Sequence, residues 1–264
     1  ALEIKIAERT AELQENNKSL IKTNLELQEF NYISSHDLQE PLRKIQIFVS
    51  RIQESEKANL SGKGIEYFDK ISDSAQRMQQ LIDDLLAYST TERSSKKFER
   101  VDLDALASEV LSDLSEEILE SHATVRVESL GMIAAIPFQF KQLLYNLVGN
   151  ALKYAGSKTA AQISITGEDV TVTGDDNLAD GVYKKISVTD NGIGFEQQYS
   201  QKIFDLFQRL HGKLEYGGTG VGLAIVKKIV ENHKGTIHAN GVPGKGAVFT
   251  VLLPVEGAGS GLKV

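Results

Sequence analysis

The first place where this chain could do chemistry is a histidine followed by an aspartate, in Ser34-Ser35-His36-Asp37-Leu38-Gln39-Glu40-Pro41-Leu42. A neutral imidazole is a nucleophile near pH 7. Asp37 can accept from one ring nitrogen and leave the other with a free lone pair. Ile33, Leu38, Leu42, Ile45, Val49 and Ile52 recur at helical spacing. They mark a buried face, and His36 lies off it, partly toward solvent. Pro41 cannot donate to the carbonyl of Asp37, which weakens the helix beside the histidine. These features make His36 a candidate phosphoryl acceptor, although a solvated surface histidine would present the same local pattern.

Three signals farther along could hold a nucleotide. In Asn146-Leu147-Val148-Gly149-Asn150-Ala151-Leu152-Lys153-Tyr154, the residues Asn146, Asn150, Lys153 and Tyr154 share one helix face. Asn150 offers an amide oxygen to a hard Mg²⁺, and Lys153 offers charge to phosphate. In Asp190-Asn191-Gly192-Ile193-Gly194-Phe195, at the end of an expected strand, Asp190 can accept from an exocyclic amino group and so select adenine. Gly192 and Gly194 allow close approach of the backbone to a ligand. Gly217-Gly218-Thr219-Gly220-Val221-Gly222-Leu223 opens a helix, and a glycine-rich helix N-terminus presents free N–H groups to phosphates. No Gly-Lys-Ser/Thr follows and no strand leads in, so this is neither a Walker loop nor a Rossmann fingerprint.

These groups need a scaffold, and the 264 residues suffice for two modest domains. The net charge of −7 argues against a general nucleic-acid binder. The absence of cysteine excludes disulfides and thiolate metal sites, and fits a cytoplasmic protein. No apolar run approaches the ~18 residues of a membrane span. The opening Ala1-Leu2-Glu3-Ile4-Lys5 reads as helix interior, as expected of a piece whose upstream sensor domain is missing.

Residues 1–30 carry Ile6, Leu13, Leu20 and Leu27 at heptad position d, with Thr10, Asn17, Asn24 and Asn31 at a. This predicts a marginal parallel coiled coil, the alternative being a single exposed helix. The helix runs on through His36 to about Lys57, turns at Asn59–Gly64, and returns on the apolar face of Ile65, Phe68, Ile71, Ala75, Met78, Ile82, Leu85 and Leu86. One such hairpin cannot bury its faces alone; two make a four-helix bundle, so a homodimer is expected. Polar Thr90–Lys97 reads as a linker. Beyond it we expect a helix from Asp102 to about Leu119 and strands at 123–129 and 132–135. A helix from Pro137, strands at 162–166, 170–173 and 184–189, a helix at 223–232, and strands at 235–240 and 247–253 follow. The result is a one-sided α+β sandwich.

In order and spacing the chain resembles the bacterial sensor histidine kinases. Ser35–Leu42 is similar to their H box, Asn146–Tyr154 to the N box, Asp190–Phe195 to the G1 box, Ile203–Arg209 to the F box and Gly218–Gly222 to the G2 box. The H-box wording is similar to that of phytochrome-type kinases. The resemblance implies a class of α plus α+β: a coiled coil and dimeric helical hairpin, then an ATP-binding α/β sandwich of the GHKL (Bergerat) type. The implied domains are 1–30 (signalling helix), 31–92 (dimerisation and phosphotransfer), 93–100 (linker), 101–255 (catalytic) and 256–264 (tail).

It further implies ATP and Mg²⁺ as cofactors, His36 as phosphoacceptor with Asp37 orienting its ring, and Asn150 as the Mg²⁺ ligand with Asn146 beside it. Lys153, Tyr154 and Thr219 would lie near the phosphates and Asp190 would read adenine. Gly192, Gly194, Gly218, Gly220, Gly222 and Leu223 would shape the pocket, Arg209 would stabilise transferred charge, and Leu210–Tyr216 would form a lid. Partners would be a second copy and the receiver domain of a response regulator, with neither nucleic acid nor a membrane segment in this chain. The alternatives are a GHKL-type ATPase without histidine phosphorylation, or a non-catalytic dimeric scaffold.

One position departs from the family pattern. Members that also remove phosphate from their partner usually have Thr or Asn four residues after the histidine, where this chain has Glu40. A carboxylate there repels both an attacking hydroxide and an aspartyl phosphate. Glu40→Thr should therefore raise the rate at which the protein dephosphorylates its regulator, followed as loss of label from the isolated phospho-regulator. An unchanged rate refutes this account.

Overall fold

Residues 2–55 contain no glycine and a single proline, and their Leu, Glu, Gln and Lys content favours helix throughout. In a computed structural model they form α1 (Leu2–Ser55), which continues through Pro41 and is about 80 Å long at 1.5 Å per residue. The structure describes residues 2–56, 59–93, 97–156, 160–174, 178–210 and 218–255; side chains at 24–34, 36 and 90–93, and several nearer the N-terminus, lie outside that description. The imidazole of His36 and the heptad side chains of Leu20, Asn24, Leu27 and Asn31 are among those outside it. Ile6 and Leu13 are 57% and 68% exposed.

Helix α2 (Gly62–Arg93) begins after Ser61, whose hydroxyl accepts from the N–H of Gly64 at 3.1 Å as an N-cap. The two helices run antiparallel. Gln39 donates to Asp83 at 2.9 Å and Gln53 to Asp69 at 2.7 Å, so numbers rise along one helix as they fall along the other. Leu42, Val49 and Ala75 are buried between them. Helix α2 extends through Thr90–Arg93, which the sequence reading assigned to the linker. Polarity alone did not end the helix, because Thr90, Thr91, Glu92 and Arg93 include neither glycine nor proline.

The chain divides into two compact units, Ala1–Thr90 and Thr91–Val264. The second opens with β1 (Glu99–Asp102), antiparallel to β3 (Met132–Ala135). This is a correction, since 99–100 were expected to be linker and no strand was expected there. Four residues with one buried side chain, Val101, give no readable period. Asp102 then caps α3 (Leu103–Asp113) by accepting from the N–H groups of Asp104 and Ala105. The expected single helix to Leu119 is instead two, α3 and α4 (Ser115–Glu120), broken at the buried Leu114.

The main sheet has five strands in the order β2 (Thr124–Val127), β4 (Gln162–Val172), β5 (Gly181–Asp190), β7 (Gly246–Pro254), β6 (Thr236–Val242). Only the β2–β4 pairing is parallel. The sequence suggested two strands where β4 is one. Residues 167–169, left between those two, continue the strand: Glu168 pairs with Lys185 at 2.8 Å and Asp169 with the buried Lys184 at 2.6 Å on the facing strand. A Cβ at Gly167 would lie 2.8 Å from Leu130 Cα, so the glycine admits a crossing chain rather than ending a strand.

Helices α5 (Pro137–Lys153) and α6 (Gly222–Asn232) cover one face of this sheet. Phe140, Leu143, Leu144 and Leu147 of α5 and Ile225 and Ile229 of α6 are fully buried, as are Ile165, Ile186 and Leu253 from the strands. At the far end of α6 sits His233, 3% exposed. Its Nδ1 lies 2.7 Å from the carbonyl of Ile229 and so carries the proton, while Nε2 accepts from the N–H of Ile136 at 3.0 Å. Phe98 meets the ring edge-on with centroids 5.1 Å apart.

Only the neutral ring can serve both bonds, and burial pushes its pKa below the ordinary 6.5. Below pH 6.5 the unfolded chain therefore binds the proton first. The stability from this group is complete above that value and is lost as pH falls through the depressed folded value. The melting temperature of the mixed α/β unit, followed by circular dichroism, should fall on going from pH 7.5 to pH 5. His233→Ala should melt lower at neutral pH, since an orphaned Ile136 N–H costs about 1–3 kcal/mol, and should show a shallower pH slope.

Candidate functional site

The end of β5 carries Asp190, whose carboxylate is fixed by its own backbone surroundings. Its Oδ1 accepts from the N–H of Gly192 at 2.8 Å and of Ala247 at 3.2 Å, and its Oδ2 accepts neither. Burial raises the carboxyl pKa above its ordinary 3.8, and the two backbone donors oppose that only in part. Asn191 is equally committed, accepting from the N–H of Gln162 at 2.8 Å and donating to the carbonyl of Ala160 at 3.1 Å.

The glycines that follow sit where no side chain fits. A Cβ at Gly192 would collide with the carbonyl of Tyr154, and one at Gly194 (φ +61°) with the carbonyl of Val242. The N–H of Ile193 donates to that Tyr154 carbonyl at 3.0 Å, and Gly244 donates to the carbonyl of Ile193 at 2.7 Å. The loop is thereby bonded to the C-cap of α5 on one side and to the β6–β7 turn on the other.

These elements enclose a cavity. Asn150 and Tyr154 line it from α5, Asp190, Ile193, Gly194 and Phe195 from the loop, and Ala247 and Phe249 from β7. Ile203 contributes from the second of two 3₁₀ turns, Gln208, Arg209 and Leu210 from the segment after it, and Leu223 from α6. Phe249 anchors its apolar wall, its ring tilted by 40° against Phe195 with centroids 6.4 Å apart and edge-on to Phe204 at 6.5 Å.

A second group of residues is basic and glycine-rich. Lys153 Nζ lies 4.6 Å over the ring of Tyr154, in the space that a Cβ on Gly218 would need. Gly220 (φ +78°) faces the backbone of Phe207 and Gln208, where a Cβ would come within 2.8 Å of the Gln208 carbonyl. Thr219 Oγ1 accepts from Val221 at 3.4 Å. A Cβ on Gly222, the first residue of α6, would lie 2.8 Å from Asn146 Oδ1. No side chain caps α6, so its leading N–H groups remain available to an anion.

Six of the sequence candidates thus line the cavity: Asn150, Tyr154, Asp190, Gly194, Arg209 and Leu223. Asn146, Lys153, Gly192, Gly218, Thr219, Gly220 and Gly222 pack around it through the contacts above. His36 and Asp37 belong to the other unit, in α1, with Asp37 exposed. Residues 211–216 of the expected lid lie outside the described residues. The sequence reading singled out Leu210 only as the start of the lid, and it missed Ile193, Phe195, Ile203 and Gln208, which lie inside its motifs. It also missed Ala247 and Phe249, which no local motif marks.

The donor chemistry suits an adenine nucleotide with Mg²⁺. Among the described residues no cluster of three or more His, Cys, Asp or Glu could hold a metal by itself. One amide oxygen, Asn150, is the kind of sparse protein ligand found where phosphates and water complete the shell of Mg²⁺. Also among the described residues, no helix is long and apolar enough to cross a membrane.

Residues 26–94 match the family "His Kinase A (phospho-acceptor) domain", and residues 135–257 match "Histidine kinase-, DNA gyrase B-, and HSP90-like ATPase". The chain is 35% identical over 253 residues to phytochrome-like protein Cph1 of Synechocystis sp., covering 95% of this chain and 32% of that protein. It is 37% identical over 246 residues to cyanobacterial phytochrome A of Nostoc sp., covering 93% and 31%. It therefore spans about a third of the length of these relatives. Full-length ShkA in complex with AMPPNP shares its fold, with a TM-score of 0.63 at 23% identity over 88% of this chain and 47% of that one. The chain thus carries, in this order, the phosphoacceptor and ATPase domains of a histidine kinase core.

Proposed function

We propose that this chain is the kinase core that moves the terminal phosphoryl group of ATP to His36 and then to an aspartate on a separate response regulator. The observation that carries the reading is the Asp190 carboxylate, half-buried in the cavity with both backbone donors spent on Oδ1. Its other oxygen is left to accept from the exocyclic amine of adenine, with the apolar wall around Phe249 covering the ring.

Asn150 would hold Mg²⁺, with Asn146 beside it, and the ion would neutralise charge on the phosphates. Lys153, Arg209, Thr219 and the uncapped start of α6 would bind phosphate oxygens. A ring nitrogen of His36 attacks the terminal phosphorus, the bond to the bridging oxygen breaks, and ADP leaves. Asp37 accepts from the other ring nitrogen and stabilises the positive charge that develops there. Transfer to the regulator repeats the exchange, with an aspartate oxygen attacking and the imidazole leaving.

A second copy is proposed to complete the helical unit. Ile45, Tyr67, Ile71 and Met78 border an apolar groove on the hairpin, and all four are exposed in a single chain. Pairing two hairpins through these faces gives the four-helix bundle.

Incubation with Mg²⁺ and γ-labelled ATP should leave acid-labile label on the protein, with none on His36→Ala. Label retained by that variant, or hydrolysis without labelled protein, would favour an ATPase that does not use the histidine. For Asp190→Asn, ADP affinity measured by calorimetry should drop roughly 10–100-fold, the equivalent of one charged hydrogen bond. Because burial raises this carboxyl pKa, wild-type affinity should start to weaken on acidification above the ordinary carboxylate range, while Asp190→Asn stays flat there.

A further inference from the structure

Resting on the kinase reading above, we propose that Gln197 is a positioning residue for the nucleotide base: its side-chain amide holds Gly241 of β6 against the ring of Phe195, and so sets the apolar wall of the cavity. Gln197 opens the first of the two 3₁₀ turns and belongs to none of the sequence motifs.

Strand β6 is an outermost strand of the main sheet and pairs with β7 alone. Its other edge carries outward backbone groups that need partners. At Ala239 and Gly241 that partner is the amide of Gln197. Its Nε2 donates to the carbonyl of Ala239 at 3.2 Å and to Oδ1 of Asn240 at 3.3 Å, and its Oε1 accepts from the N–H of Gly241 at 3.1 Å. Donating to one residue and accepting from the residue two further on is what a neighbouring strand would do. A side-chain amide carries both the N–H and the carbonyl this needs, as neither a carboxylate nor an ammonium group does.

Gly241 is also the seat of Phe195. A Cβ on Gly241 would come within 2.6 Å of the Phe195 ring, so the ring lies directly on the glycine backbone. Phe195 is 9% exposed, lines the cavity and meets Phe249 with centroids 6.4 Å apart. One residue before it, Gly194 packs on the carbonyl of Val242. The segment that carries the ring is therefore tied to β6 at both ends, by close packing at Gly194 and by hydrogen bonds at Gln197. Gln197 itself is exposed and is not among the residues that line the cavity. It acts through Gly241 and Phe195, on the wall that the base would meet.

The test is the initial rate at which the full chain takes up label from γ-labelled ATP in Mg²⁺, measured across ATP concentrations, with melting followed by circular dichroism. For Gln197→Met the half-saturating ATP concentration should rise roughly three- to tenfold, as on loss of a hydrogen bond, with the saturating rate kept. No change, or a lower saturating rate at unchanged half-saturation, which marks loss of folded protein alone, overturns the proposal and leaves the kinase reading intact. Gly241→Ala, which displaces the ring with the Gln197 amide in place, should raise half-saturation too. In the double variant the two rises should not multiply, because both act through the seat of one ring. A full product, or no rise in Gly241→Ala, overturns the proposal. If Gln197→Met melts below the wild type, Gln197→Lys is measured in its place. It keeps a donor for Ala239 and leaves Gly241 without an acceptor, so the same rise is expected and its absence overturns the proposal. Wild-type protein that takes up no label removes the kinase reading, and this positioning role with it.

Discussion

The nucleotide half of the molecule depends on three places where main chain meets main chain with no room for a side chain between. Gly192 lies against the carbonyl of Tyr154, Gly194 against that of Val242, and Gly246 against that of Asp190. These contacts draw the end of β5, the C-cap of α5 and the β6–β7 turn to one point. Two of the glycines, at φ +61° and +107°, also occupy backbone regions that side chains strongly disfavour. The carboxylate of Asp190 is a consequence. With its backbone held so closely, one oxygen is taken by two N–H groups, and the other can meet only what enters the cavity. A methyl group at any of the three positions would push the strands apart and release that carboxylate.

A similar close approach operates on the other side of the cavity, where it costs strain. Phe207 adopts φ +62°, a region that bulky residues rarely tolerate, and its backbone presses on Gly220, itself at φ +78°. Such a conformation persists only where its surroundings enforce it. Residues 207–208 and 218–220 stand on either side of segment 211–217 in the chain. The contact brings the backbone of residues 207–208 against Gly220, with Arg209 next along the chain on one side and the start of α6 on the other. Arg209 and the first turn of α6 thus share a common anchor.

How much of this the sequence disclosed follows from how far each signal reaches along the chain. Helices α2, α5 and α6 were legible because a buried face repeats over many residues, and Asp102 and Ser61 act as caps within three residues of themselves. Strand β1 was not, since four residues carry no period. Strand β4 was read as two because its glycine and acidic pair are satisfied by groups distant in sequence, Leu130, Lys184 and Lys185. The same division holds at the site. Asn150, Asp190 and the glycines lie in contiguous motifs. Ala247 and Phe249 enter only through the β5–β7 register that places Asp190 opposite Ala247, and register is invisible without the partner strand.

The two halves of the chain are also stabilised differently, and this bears on how a kinase of this kind can be regulated. The sheet and helices α5 and α6 enclose a core with many residues at 0–1% exposure, so that unit has a core of its own. The hairpin buries few apolar side chains, while Leu38, Ile45, Phe48, Tyr67, Ile71 and Met78 remain exposed in a single chain. Two helices with so much uncovered apolar surface owe their arrangement to association, and in the proposed dimer that association sets the register of α1. His36 is carried on this dependent helix, whereas the nucleotide is held by the self-sufficient unit. In the proposed kinase, a change in helix pairing would act on the acceptor and leave the donor pocket as it was.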